Sequence, residues 1–123
     1  MSKRVLIAED SSVIQNLIKK ILLQLNYSID TVKNGEAVLK KLESNTYDII
    51  LMDINMPKMD GMECSKKIRE IKDGTKTNIP IVAITGNAKN YNEIHFEEVG
   101  INEYLEKPLD FDALVTIVKK YTE

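Results

Sequence analysis

The sequence predicts an α/β domain with a mostly parallel sheet covered by helices on both faces, and three observations carry that expectation. Short β-branched runs alternate with longer segments of helical period, the pattern of right-handed βαβ crossovers. Three of the runs are continuously apolar, as parallel strands buried on both faces are. The 123 residues, 43% hydrophobic and 29% charged, match one domain with a core and a soluble exterior, expected to occupy residues 1–123.

The expected strands are Val5 to Ala8, the alternating Ile29 to Val32, Ile49 to Met52, Ile81 to Ile84, and a weaker run at Tyr104 and Leu105. Between the first two, Val13, Ile14, Leu17, Ile18, Ile21, Leu22 and Leu25 form one helical stripe, expected to face a core. Shorter helical patterns run through Ala37, Val38 and Leu42, and through Met62, Ile68 and Ile71. Lys72 to Asn78 reads as a loop before Pro80 opens the fourth strand. The fourth predicted helix, Ala88 to Val99, is polar, with Ile94, Phe96 and Val99 as anchors and Gly100 suited to the left-handed turn that ends it. The fifth carries Phe111, Leu114, Val115, Val118 and Tyr121 behind an Asp110 N-cap.

Seventeen basic residues against 19 acidic give a net charge of −2, which argues against DNA, RNA or an anionic membrane as main partner. One cysteine, Cys64, cannot form an internal disulfide. With no long apolar run and no basic-then-apolar leader, a reducing cytoplasmic location is expected.

In an open α/β sheet, ligands bind just beyond the carboxyl ends of the strands, so the residues closing each run are where chemistry is expected. Four of the five ends carry a reactive group: Glu9 and Asp10 after VLIA, Asp53 after IILM, Thr85 after IVAI, and Lys107 followed by Pro108 after EYLE. Three clustered carboxylates stay ionised together only beside a cation. Oxygen ligands with no cysteine and no nearby histidine suit Mg²⁺, with Mn²⁺ as a substitute, and Mg²⁺ shares its shell with phosphate. Asp53, alone after the third run, is then placed to act as a nucleophile forming an aspartyl-phosphate. Lys107 would pair with phosphoryl oxygens and the Thr85 hydroxyl would hydrogen-bond the transferred group. The plainer alternative makes Glu9 and Asp10 a cap for the first helix and the rest solvated loop residues. Capping predicts Ser, Asn or Asp after strands, but not a Lys-Pro after the last one.

Together, Glu9-Asp10, LMDINMPKMDG around Asp53, ITGN around Thr85 and YLEKP ending at Lys107-Pro108 resemble the receiver domain of two-component response regulators, over essentially the whole chain. The resemblance implies a flavodoxin-like (βα)5 fold with a five-stranded parallel sheet of order 2-1-3-4-5. It implies a phosphoacceptor switch that catalyses its own phosphorylation and dephosphorylation rather than an enzyme with a separate substrate. The implied phosphoacceptor is Asp53. The implied Mg²⁺ ligands are Asp10, Asp53 and the backbone carbonyl of Asn55, with Glu9 acting directly or through water, and Lys107 is the implied active-site lysine. Thr85 would move toward the phosphoryl group and Tyr104 would turn inward behind it, the fourth helix, fifth strand and fifth helix forming the output surface. Asn55 and Asn87 are similar in position to residues that flank the attack path of water, and are expected to tune phosphoryl lifetime. Glu9, where two aspartates are commoner, and the Thr85-Gly86-Asn87 run look more like receivers of hybrid histidine kinases. Gly86 is expected to leave backbone freedom and room above the phosphate.

The implied donor is a histidine kinase or histidine phosphotransfer protein, docking around the first helix and the strand-end loops because its imidazole must approach Asp53 in line. A downstream protein would bind the output surface, and the unphosphorylated chain is expected to be a monomer. A Mg²⁺-dependent phosphohydrolase of the haloacid dehalogenase kind also uses an Asp nucleophile, but carries a second acid where Asn55 stands, and the chain leaves little room for a substrate cap. A flavodoxin-like flavin binder would want a Ser-, Thr- and Gly-rich first loop, where Glu9 and Asp10 repel phosphate. A degenerate receiver working by binding alone is the remaining alternative. Among other residues, His95 reads as a surface histidine, Cys64 as a small apolar packing residue, and Met52, Met56, Met59 and Met62 as packing around the Asp53 loop. Met56-Pro57 and Asp60-Gly61 read as loop and turn chemistry.

Overall fold

Five strands, β1 (Arg4–Ala8), β2 (Ser28–Val32), β3 (Ile49–Asp53), β4 (Ile81–Thr85) and β5 (Glu103–Glu106), pair in the order β2-β1-β3-β4-β5 in a computed structural model that describes residues 3–86 and 93–123. Every pairing is parallel. The helices are α1 (Ser12–Gln24), α2 (Gly35–Ser44), α3 (Gly61–Arg69), the single turn α4 (Gly74–Thr77), α5 (Glu93–Glu98) and α6 (Phe111–Thr122). The expected fifth helix is α6; of the expected fourth, Ala88 to Val99, the stretch 88–92 lies outside the described residues and α5 covers Glu93–Glu98.

Alternation along the strands builds two cores, one on each sheet face. Leu6, Ile50, Met52 and Ile81 point to the side covered by Val38 and Leu42 of α2, Ile68 of α3 and Phe96 of α5. Val5, Ile7, Ile49, Leu51, Val82 and Ile84 point to the side covered by Ile18 and Leu22 of α1 and Leu114 and Val118 of α6. β3 and β4 are buried throughout, matching their unbroken apolar runs, whereas the edge strands β2 and β5 are only partly covered.

Three readings need correction. The α1 stripe does not face the core as a whole: Val13 is 71%, Leu17 45% and Leu25 38% exposed. The buried line runs through Gln15, Ile18 and Leu22; at roughly 100° per residue Leu17 and Val13 sit about 100° and 140° around the helix from Ile18, and Leu25 lies past its end as C-cap. Lys72 to Asn78 is not all loop, because the Asp73 carboxylate accepts from the Thr75 amide and hydroxyl and starts α4. Asp60-Gly61 is not simply a turn: Asp60 caps α3, accepting from the Glu63 amide at 2.8 Å, and Gly61 is its first residue.

Other expectations stand as read. Asp110 caps α6, accepting from the Asp112 and Ala113 amides, and Gly100 takes φ +83° after α5. Cys64 is fully buried, and burial pushes its thiol up to about 12. Met52 and Met56 are buried, Met59 and Met62 pack against the same core, and His95 is exposed on α5. Among the described residues no helix is long and apolar enough to cross a membrane.

Candidate functional site

The parallel register sets the carboxyl ends of the central strands side by side. Ala8 pairs with Met52 and Asp53 with Ile84, so Glu9, Asp53 and Thr85 meet along one edge. Asp53 and Thr85 are the last residues of β3 and β4, each within its strand rather than beyond it. Ladder-like bonds continue past the strand ends and fix the loops, with the Glu9 amide donating to Val32 O, Ile54 to Ile84 O and Lys107 to Thr85 O.

Glu9 is 1% exposed and Asp53 3%. Between them reaches Lys107, its Nζ 3.1 Å from Glu9 Oε1 and 3.5 Å from Asp53 Oδ1. Glu9 Oε2 accepts from the Ser11 amide at 2.8 Å, and Asp53 Oδ1 from the Asn55 amide at 3.2 Å. Glu9 Oε1, although beside Lys107, has no hydrogen-bond partner of proper geometry among the described residues. Desolvation first, and then the Glu9 carboxylate next to it, push the Asp53 carboxyl up to about 6, against the opposing pull of Lys107 and the Asn55 amide.

Of the three expected acids, Glu9 and Asp53 are buried together beside Lys107. Asp10 is exposed, and among the described residues no three His, Cys, Asp or Glu side chains are grouped to hold a metal ion. Lys107 provides positive charge beside the two buried carboxylates. Nor do Glu9 and Asp10 cap α1, since Ser11 does, its hydroxyl accepting from the Ile14 amide.

Thr85 is fully buried at the end of β4. Tyr104 lies on β5 opposite Ala83, half-buried, its ring 5.0 Å from that of Phe96. Asn55 is exposed, and Asn87 lies outside the described residues. Among the described residues, a Cβ added at Gly86 would meet only the Lys107 stem, at 3.7 Å.

Two supporting roles escape the reading of the sequence. Gln15, buried on α1, donates its amide to Glu9 O at 3.3 Å and Val32 O at 3.0 Å, holding the β1–α1 turn that aims Glu9. A polar residue interrupting an apolar stripe was its available signal. Gly61 admits the closest approach in the site, since a Cβ there would lie about 2.4 Å from Asp53 O. Its amide donates to Ile54 O, pinning α3 behind the Asp53 loop.

An acid pair, a lysine and a buried hydroxyl thus meet at the carboxyl edge of an open parallel sheet, where such sheets bind their ligands. Residues 5–119 match the response regulator receiver domain family, and the chain belongs to it. It is 36% identical over 120 residues to hybrid signal transduction histidine kinase M of Dictyostelium discoideum, covering 94% of this chain and 5% of that protein. To the transcriptional regulatory protein ResD of Bacillus subtilis it is 37% identical, covering 94% of this chain and 46% of that one. The chain thus spans less than half the length of these relatives. Among solved structures, the receiver domain of sensor histidine kinase PA1611 from Pseudomonas aeruginosa, with a magnesium ion coordinated in its active-site cleft, matches at TM-score 0.89 and 30% identity over 99% of this chain and 98% of that one. The chemotaxis response regulator CheY4 of Vibrio cholerae matches at 0.88 and 26% over 98% and 99%.

Proposed function

We propose that residues 1–123 form one cytoplasmic receiver that accepts a phosphoryl group onto Asp53 from a histidine kinase or histidine phosphotransfer protein and changes its partner binding in response. The observation that carries this is the buried Asp53 carboxylate facing Glu9, with Lys107 Nζ within 3.5 Å of both. An Asp53 oxygen forms the new P–O bond as the P–N bond of the phosphohistidine breaks, its electron pair leaving with the imidazole nitrogen. Lys107 is within reach of the oxygens where charge develops, and the buried Thr85 hydroxyl at the neighbouring strand end follows the phosphoryl group, Tyr104 turning inward behind it. Water attack then returns Asp53 and inorganic phosphate, with Asn55 and Asn87 setting the lifetime.

The donor set suits a hard divalent cation: every donor is oxygen, and Glu9 Oε1 is buried without a hydrogen bond. Glu9, Asp10, Asp53 and the Asn55 carbonyl would hold Mg²⁺, or Mn²⁺ in its place, and the ion when bound supplies charge neutralisation for the phosphoryl oxygens. The magnesium ion in the cleft of the PA1611 receiver supports this assignment. Transfer from the histidine is helped by the apolar Val13 and Leu17 exposed on α1, which suit the donor's docking; the chain is a monomer before transfer.

A beryllofluoride titration followed by NMR tests the switch. With Mg²⁺ the signals of Thr85 and Tyr104 move together, while chelator or Asp53→Asn abolishes the change. A complex that forms with Tyr104 unmoved would contradict the switch.

A further inference from the structure

The carboxyl edge of the sheet carries a second lysine that the phosphoryl chemistry does not use. Ala8 pairs with Val32 and the Glu9 amide donates to Val32 O, so the next residue, Lys33, leaves β2 beside the turn that holds Glu9. Its Nζ reaches across to α1 and donates to Ser12 Oγ at 2.6 Å. Lys107 is drawn in between Glu9 and Asp53, whereas Lys33 is exposed and makes no ion pair among the described residues. Its bond to a neutral hydroxyl leaves its charge uncancelled. The placement also works against the helix. Ser12 is the first residue of α1, whose first turn carries no acidic side chain, and a cation at the positive end of a helix is disfavoured. A residue that breaks a local rule of stability marks a place where function has set the choice. Glu9, Asp10 and Asp53 stand at the same edge and repel an approaching anion, and Lys107 is already shared by two of them. On the α1 side, Lys33 is the cation left to receive one.

We propose that Lys33 is a specificity-determining residue for the transfer, its ammonium, held at the start of α1, drawing a doubly charged phosphoryl donor to the cleft. It takes no part in bond making or breaking, and the inference rests on the receiver reading. Charge alone gives this role two signatures. The help that Lys33 gives grows with the negative charge of the donor and fades as salt screens it. Its ammonium also opposes a divalent cation at the same edge, so its removal shifts the donor and Mg²⁺ in opposite directions. A residue that merely propped the turn around Glu9 would weaken both when removed.

The test follows intact mass over time at saturating Mg²⁺, with low acetyl phosphate, doubly charged near neutral pH, and with low phosphoramidate, singly charged there. Lys33→Glu is expected to slow the gain from acetyl phosphate by roughly threefold to tenfold and the gain from phosphoramidate by less, raised salt shrinking both losses. Lys33→Arg keeps the wild-type rates, and so does Lys119→Glu, an equal change of charge on α6. Mg²⁺ titrated against the Asn55 amide signal binds more tightly to Lys33→Glu than to the wild type. Lys33→Met melts no lower than the wild type. An unchanged acetyl phosphate rate in Lys33→Glu, equal losses with both donors, weaker Mg²⁺ binding in that variant, or a lower melting temperature in Lys33→Met would overturn the proposal. A wild-type chain that gains no phosphoryl group from either donor defeats the receiver reading and this proposal with it. A wild type that gains one, matched by Lys33→Glu, defeats the proposal alone.

Discussion

Asp53 keeps its carboxylate where water is nearly absent and a second carboxylate stands beside it, so its charge is costly until a cation arrives. That cost has a sign in pH. With the folded carboxyl pushed up to about 6 and the unfolded one near its ordinary value of about 4, the folded chain keeps a proton that the unfolded chain releases. Stability therefore falls as pH rises from about 4 to about 6, and the full cost, up to roughly 3 kcal/mol, persists above that. Asp53→Asn removes the charge and is expected to raise the melting temperature more at pH 7.5 than at pH 4.5. Equal gains at both values would show that Asp53 carries no such burden. Gln15 is a second residue-scale case. Gln15→Ala leaves the Glu9 carbonyl without its side-chain donor and is expected to cost about 1–3 kcal/mol in urea unfolding, with weaker Mg²⁺ binding as Glu9 loses its fixed turn. The candidate site residues themselves were legible, since Asp53, Thr85 and Lys107 each stand at the end of a strand-like run. Gln15 was not read and Gly61 only as turn chemistry, because their value depends on which carbonyl they meet, and no spacing in the sequence states that.

Among the elements, α1 divides its apolar residues between two tasks. Ile18 and Leu22 hold it to the sheet, and Val13 and Leu17 remain in water. Because Val13 is 71% exposed, Val13→Asp is expected to change stability by less than about 0.5 kcal/mol, yet to slow transfer from a histidine phosphotransfer protein several-fold. Lys20→Glu on the same helix is expected to slow it too, with Lys119→Glu on α6 as the control. Transfer indifferent to both α1 variants would move the donor's docking site elsewhere. The existence of α1 was readable from its period, but the division of its stripe was not. Helical spacing locates an apolar arc without saying how much of that arc the sheet can cover. The one-turn α4 had too few residues to display any period, and only the Asp73 cap announces it.

At the scale of the whole molecule, two cores clamp a sheet in which β3 and β4 are buried throughout and whose carboxyl edge brings Glu9, Asp53, Thr85 and Lys107 together. Parallel pairing and the helical cover of both faces were legible in the unbroken apolar runs of β1, β3 and β4. The order β2-β1-β3-β4-β5 came from resemblance alone, since alternation of strands and helices is compatible with other orders of the same strands. This order sets β1 and β3 adjacent, and with them Glu9 and Asp53, so the site is a consequence of topology as much as of residue choice. The most direct measurement is the intact mass of the chain after incubation with acetyl phosphate. The account predicts a gain of one phosphoryl group that requires Mg²⁺, disappears with chelator and is absent in Asp53→Asn. An unchanged mass with Mg²⁺ present, or a gain that survives in Asp53→Asn, would contradict it.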